Sequence, residues 1–448
     1  MSTGRRLFGT DGIRGVAGEA PLDPKTIFAT GLSLGHSIKA PDRAVILGRD
    51  TRESGPWIAA TLAAGLRATG VRVESAGVIP TPAIAFLTRL HGFAAGVVLS
   101  ASHNPWQDNG IKIFGADGYK LPDAVELAME EEIFRHAASA SVPDSPPDVK
   151  DNDSFREEYI QFLIDALPGL RLDGLRLVAD CANGAAAAIA PELFSRIGGE
   201  VTLLNIAPNG HNINDHCGAL HPGHLAEQVV ENGASLGVTF DGDADRCLLA
   251  GAANNVINGD AILLVAARDL KVRAMLTGDL VVATTMSNMG LEAALKRSGI
   301  KMLRAAVGDR YVLEQMQKHN AALGGEQSGH ILMPHLATTG DGLLTALVIL
   351  DLVARSGQTI EALTADLKVF PQVIVNVRVR EKRPLESIPA VAQSIHAAEQ
   401  ALQDSGRVVV RYSGTEKLAR VMIEAESETA MRFHADAIAD AIRAELGV

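Results

Sequence analysis

Three stretches of the chain repeat one pattern of apolar and polar positions: 44–73 (AVILGRDTRESGPWIAATLAAGLRATGVRV), 175–204 (LRLVADCANGAAAAIAPELFSRIGGEVTLL) and 280–305 (LVVATTMSNMGLEAALKRSGIKMLRA). Each opens with a short apolar run typical of a strand covered on both faces, then turns at small or polar residues. An amphipathic segment follows, closed by Gly70, Gly198 or Gly299, and the chain extends again. The pattern predicts three βαβ units. Beyond residue 370 the period changes: QVIVNVRV alternates as a strand, a helical stretch follows, and RVVVRYSGTEKLARVMIEAE reads strand, loop, strand. SVPDSPPDVKDND (141–153), rich in Pro and Asp, reads as a linker. The expected architecture is α/β, with three related α/β domains with mixed sheets at 1–153, 154–253 and 254–369 and a smaller C-terminal α+β domain at 370–448.

Composition narrows the class. With 448 residues the chain exceeds one core, and 47% hydrophobic with 21% charged residues is a globular balance. No uncharged apolar run approaches the roughly 18 residues of a membrane span, and no apolar stretch follows the basic start, so neither membrane nor signal peptide is expected. Three widely spaced cysteines fit a reducing cytoplasm without a disulfide framework. A net charge of −12 argues against a nucleic-acid partner. An anionic ligand would need local groups to attract it.

Candidate chemistry begins in GVVLSASHNPWQDNGIKIF (96–114). Val97–Leu99 reads as a strand, Pro105 keeps Asn104 out of helix, Asn109-Gly110 signals a turn, and the next extended piece carries Lys112. Ser102 then sits on a stiff loop at a strand's carboxyl end, where open α/β sheets bind ligands. Alone, Ser102 and His103 read equally as turn formers. Ser100 and Asn104 stand where a hydrolase elbow needs glycines.

GVTFDGDADRCLLA carries Asp241, Asp243 and Asp245. Alternate carboxylates on extended chain point the same way and repel unless a cation sits among them; hard oxygen donors suit Mg²⁺. Arg246 and Ala252 stand where a calcium EF-hand needs Gly and Glu, which excludes that loop. In RYSGTEKLARVMIE, Arg411, Ser413, Gly414, Thr415 and Arg420 suit a phosphate's oxygens, or make a plain hairpin with surface arginines. In LGGEQSGHILM, a glycine-rich turn presents Glu326, Ser328 and His330, which can read a polyol or be incidental. LFGTDGIRGVAG should be a loop; it lacks the Walker lysine and the dinucleotide fingerprint, leaving Arg14 as an anion contact. HNINDHCGALHPGH has one thiol and no common zinc spacing, and reads as a polar interdomain loop.

A serine, a hard-metal site, a phosphate clamp and a polyol-reading loop from four segments are the set phosphoryl transfer needs. SASHNP, DGDADR, GEQSGH and RYSGTE closely resemble the four signatures of the α-D-phosphohexomutases, and the resemblance spans essentially the whole chain. FGTDGIRG, GDRYV (308–312) and Gln327 resemble the branch acting on amino-sugar phosphates more than those acting on glucose or mannose phosphates. The resemblance implies four domains around a central cleft and phosphate carried on Ser102. It implies Mg²⁺ held by Asp241, Asp243, Asp245 and a phosphoserine oxygen, with a hexosamine or hexose 1,6-bisphosphate as activator. Lys112 and His330 match positions of proton transfer or phosphate contact, and Arg246 a position near the transferring phosphate. Glu326 and Ser328 match sugar-hydroxyl contacts, and Arg411, Ser413, Gly414, Thr415 and Arg420 the clamp on the non-reacting phosphate. The partner expected is a small sugar phosphate; a homodimer is compatible with the sequence. A serine-dependent phosphatase and a non-enzymatic sugar-phosphate sensor are the rival readings.

Overall fold

The apolar runs of the first segment assemble a mixed six-stranded sheet. Its strands are β1 (Phe8–Gly9), β2 (Gly12–Val16), β3 (Val45–Arg49), β4 (Val73–Val78), β5 (Ala95–Leu99) and β6 (Asp108–Gly115), in the order β1-β2-β6-β5-β3-β4. β3 runs parallel to β4 and β5, and β6 pairs antiparallel with β5 and β2. The core is formed by Val45, Leu47, Val97, Leu99, Ile111 and Ile113 of the sheet with Ile58 and Leu62 of the helix Gly55–Ala68. The helix Pro24–Ser37 starts where proline tolerates the first turn and the Asp23 carboxylate accepts from the amides of Lys25 and Thr26.

A second sheet holds β7 (Arg176–Asp180), β8 (Glu200–Leu204), β9 (Leu236–Phe240), β10 (Cys247–Gly251) and β11 (Asn255–Ile257), ordered β11-β10-β9-β7-β8. A third holds β12 (Leu280–Thr284), β13 (Lys301–Ala305), β14 (Leu323–Gly325) and β15 (Ile331–Leu332), ordered β13-β12-β14-β15. The fourth is antiparallel: β16 (Gln372–Arg378), β17 (Gly406–Tyr412) and β18 (Leu418–Ala425), ordered β16-β18-β17. Helices Pro389–Leu402 and Glu428–Leu446 belong to the same core. The expected fold class is therefore present, three mixed sheets with helices and a smaller α+β segment. The structure is a computed structural model and describes residues 7–9, 11–39, 44–139, 141–413 and 417–447. The chain divides into two compact units, Met1–Thr285 with Leu303–Thr364 and Met286–Met302 with Ala365–Val448. Among the described residues no helix is long and apolar enough to cross a membrane.

Three local expectations are corrected. Asn109-Gly110 is not a turn: both residues lie in β6, opposite Gly15 and Arg14 of β2. The turn falls earlier, around Pro105–Gln107, and Gly110 answers crowding, since a Cβ there would sit 2.5 Å from the Ser100 carbonyl oxygen. The opening motif is not a loop but the β1–β2 hairpin, which carries Arg14 on a strand beside β6. The three aspartates do not converge by strand alternation. They follow β9 on a turn, with Ala244 at φ +55°, and Gly242 lets that turn approach the serine loop, its missing Cβ lying 2.5 Å from the Ser102 carbonyl.

All three thiols are buried and free. Burial pushes each up, Cys217 to about 12 with help from Asp180 and Asp215. Ellman's reagent at pH 8 should label no thiol in the native protein and all three after denaturation; a fast native reaction would contradict the burial.

Candidate active site

Ser102 follows β5 and holds a left-handed backbone, φ +53°, which a non-glycine residue keeps only when neighbours enforce it. The neighbours are hydrogen bonds. The Ser102 amide donates to Ser100 Oγ (2.8 Å), which donates to Asp50 Oδ2 (2.6 Å). The buried Arg52 guanidinium donates to the carbonyls of Ser102 (3.0 Å), Asn104 (2.9 Å), Asp108 (2.8 Å) and Pro105, while its Nε pairs with Asp50 (2.8 Å). Asn214, after β8, donates to the Ser102 and Asn104 carbonyls (2.9 and 3.3 Å). The hydroxyl is left aimed at the acidic turn, with Oγ donating to Asp241 Oδ2 at 2.6 Å.

Asp241, Asp243 and Asp245 are buried, and their carboxylates converge with ligand atoms within 4.8 Å of one another. Burial and the charges of Asp245 and Asp243 push Asp241 up to about 7. Asp243 Oδ1 is buried with no hydrogen-bond partner. Asp245 Oδ1 is likewise without a hydrogen bond, and three hard oxygen donors, two of them so left, fit a divalent cation. Lys112, fully buried on β6, lies 2.7 Å from Asp243, 3.3 Å from Asp245 and 3.1 Å from Asp11. Burial alone would lower its pKa, but the three carboxylates outweigh that and hold it well above the usual lysine range.

Two further cations act on His103, beside the serine. Arg14 pairs with Asp11 through Nη2, Arg246 Nε lies 3.9 Å from Asp241 Oδ2 and Asp245 Oδ1, and neither buried Nε makes a hydrogen bond. Burial, then Arg246 and Arg14, depress His103 to about 4, so the imidazole 3.3 Å from Ser102 Oγ is neutral at physiological pH. The β14–β15 turn brings Glu326, Ser328 and His330 to the same unit. Glu326 Oε1 accepts from the Gly308 amide (3.0 Å), and Ser328 is exposed. His330 is buried 3.6 Å from Asp245 and 3.5 Å from Asp309. Burial would lower it, yet Asp245 and Asp309 lift it to about 9, so it is a cation at neutral pH.

The second unit carries the remaining expected residues. Arg411 and Arg420 are directly opposite across β17 and β18, which puts both side chains on one face. Buried Ser413 follows, its amide donating to the Leu418 carbonyl (2.8 Å). Gly414 and Thr415 lie outside the described residues. Of the histidine-rich loop, His211 packs against Trp106 with the rings tilted (4.1 Å between centroids) and pairs with Glu53, and His216 stands 5.6 Å from His221 between ring centroids.

Models of the four phosphoglucomutase/phosphomannomutase domains match the chain in order: domain I at 5–140, domain II at 157–254, domain III at 258–370 and the C-terminal domain at 374–441. The chain belongs to the phosphohexomutase family. The phosphoglucosamine mutase of Koribacter versatilis is 58% identical over 99% of this chain and 98% of its own. A phosphoglucomutase/phosphomannomutase family protein from Burkholderia thailandensis shares the fold at TM-score 0.77 and 24% identity, covering 98% of this chain and 99% of its own. So does the N-acetylphosphoglucosamine mutase of Aspergillus fumigatus, solved with GlcNAc-6P and magnesium (TM-score 0.61, 19% identity, 98% and 96% covered). This phosphohexomutase is an enzyme of phosphoryl transfer.

Several residues of its site carried no sequence signal. Arg52 and Asn214 hold the serine loop through backbone carbonyls, which any residue supplies, and Asp50 holds it by accepting from Ser100 Oγ and Arg52. Thr81 donates to Asp243 from the start of the helix Thr81–His91. Asp11, Lys120 and Asp309 are ion partners drawn from three distant segments. Asp11 and Asp309 stood inside the motifs FGTDGIRG and GDRYV; Asp11 pairs with Arg14 of its own motif, but the lysine partners of both lie far away in sequence.

Proposed function

We propose that this phosphohexomutase interconverts glucosamine 6-phosphate and glucosamine 1-phosphate with Ser102 as the phosphoryl carrier. The observation that carries the assignment of the serine is its Oγ, fixed 2.6 Å from a buried carboxylate triad with Lys112 alongside. The amino-sugar specificity rests on the 58% identity to a phosphoglucosamine mutase. The domain limits 1–153, 154–253, 254–369 and 370–448 belong to the same proposal and are supported by the spacing of the four family matches. Three buried free thiols support a cytoplasmic site of action.

In the first half-reaction the O1 hydroxyl attacks the phosphorus carried on Ser102. The O1–P bond forms as the P–Oγ bond breaks, the bond pair goes to Oγ, and the O1 proton ends on the serine hydroxyl. Lys112 and His330 are the proton-bearing groups around that path. Arg14 and Arg246 donate to phosphoryl oxygens from Nε atoms that make no hydrogen bond within the protein, and Glu326 and Ser328 hold sugar hydroxyls. The 1,6-bisphosphate turns, and Oγ takes the 6-phosphoryl group by the reverse steps. Arg411, Ser413, Gly414, Thr415 and Arg420 grip whichever phosphate is not reacting. Mg²⁺ held by Asp241, Asp243 and Asp245 would neutralise charge on the transferring group. A hexose or hexosamine 1,6-bisphosphate primes a bare serine.

The test is ³¹P NMR of the purified protein with Mg²⁺, glucosamine 6-phosphate and a trace of hexose 1,6-bisphosphate. A growing glucosamine 1-phosphate signal is expected, faster than any product from glucose or mannose 6-phosphate and stopped by EDTA. Inorganic phosphate as the product would make the enzyme a phosphatase. Faster turnover of another hexose phosphate would keep the family and overturn the substrate.

A further inference from the structure

Lys120 is a largely buried cation that none of the signature motifs contains. A tight return after β6 places it: the Gly115 amide donates to the Tyr119 carbonyl (2.8 Å), and Lys120 bridges back to Phe114, two residues from Lys112. Its Nζ lies 2.5 Å from Asp11 Oδ1 and 2.6 Å from Asp309 Oδ2, with only 15% of the side chain exposed. Following the contacts onward gives a closed circuit. Asp11 reaches Lys112 at 3.1 Å, Lys112 reaches Asp245 at 3.3 Å, Asp245 reaches His330 at 3.6 Å, and His330 returns to Asp309 at 3.5 Å. Three cations alternate with three carboxylates around the ring.

We propose that Lys120 is a positioning residue for the phosphoryl transfer, closing a charge ring that fixes Lys112 and His330 over the reacting groups. This rests on the assignment of Lys112 and His330 above. The ring joins five pieces of chain: the β1–β2 hairpin with Asp11, β6 and its return with Lys112 and Lys120, the turn after β9 with Asp245, the β14–β15 turn with His330, and the head of the helix Asp309–His319. A buried ammonium is costly unless carboxylates compensate it, and here two do. Without that charge, Asp11 and Asp309 lose their shared partner. Asp11, left with Arg14 and Lys112, then draws Lys112 away from Asp243 and Asp245, and Asp309 draws His330 away from Asp245. Small displacements of this kind reduce the rate of the chemical step more than they weaken substrate binding.

Lys120→Met keeps the stem and removes the charge, and Lys120 borders a cavity of about 800 Å³, so the variant has room to fold. In the phosphate-transfer assay its kcat should fall about tenfold to a hundredfold, with KM within about threefold of wild type and the melting temperature nearly unchanged. Lys120→Arg should recover part of the rate. Asp309→Asn should cost less in the Lys120→Met background than alone, because ring members couple. Unchanged kcat in Lys120→Met overturns the proposal. So does a rise in KM alone, which would make Lys120 a substrate contact, or a loss matched by unfolding. A wild-type enzyme that turns over no hexose phosphate would remove the proposed function as well; a loss pattern wrong only in the variants removes the ring alone.

Discussion

Ser102→Ala eliminates turnover. A side chain that accepts and returns the phosphoryl group has no substitute, and loss of a covalent nucleophile typically costs about 10⁴-fold or more. The triad, Lys112 and the two arginines stay, so sugar phosphate should still bind. The melting temperature should move little, because the loop is held through backbone atoms rather than through Oγ. Two measurements check this: the steady-state rate, and intact-mass analysis after exposure to a hexose 1,6-bisphosphate. Wild type should show a phosphorylated species and the variant none. A variant that retains the rate, or still takes up phosphate, would move the carrier elsewhere.

Arg52→Met is the second large effect, and it works without touching substrate. Arg52 satisfies four carbonyls of the serine loop and neutralises Asp50, which burial already lifts above its usual range against the pull of Arg52 and Ser100. Removing one partner of a buried pair costs about 3–5 kcal/mol, since the orphaned charge stays behind. Methionine fills much of the space but donates nothing. The loop should then leave its left-handed conformation, and kcat should fall about 10²-fold at temperatures where the variant remains folded. Asn214→Ala removes two weaker donors to the same carbonyls and should give a smaller loss of both rate and stability. Normal kcat in folded Arg52→Met would show that the loop supports itself.

The residues legible in the sequence are those whose chemistry restricts the residue type. A phosphoryl carrier needs a hydroxyl and a cation site needs carboxylates, so Ser102 and the three aspartates stood out. The support around them does not restrict sequence in the same way. Arg52 reads backbone oxygens, which have no sequence signature, and Asp11, Lys120 and Asp309 meet only because three separated segments fold together. Local rules also misassigned three shapes, among them the opening motif, which pairs as the β1–β2 hairpin. Asn109-Gly110 carries a turn signal but is recruited into β6 because β2 pairs with it, and the aspartates converge through the left-handed Ala244 rather than through pleating. The apolar runs were more reliable because burial on both faces of a sheet leaves few alternatives to a strand.

The serine loop is held by Arg52 from the first sheet and by Asn214 from beyond β8, and its hydroxyl is aimed by Asp241 after β9. That division has a consequence during synthesis. When the ribosome has released only the first 150 or so residues, the first sheet can form, since domains generally fold as units from the N-terminus. The serine is then present, but Asn214, the metal-binding turn and the aim given by Asp241 are not. A nascent or truncated chain therefore displays a hydroxyl without the means to phosphorylate it or to waste a bisphosphate, and competence arrives only once the second sheet has closed against the first.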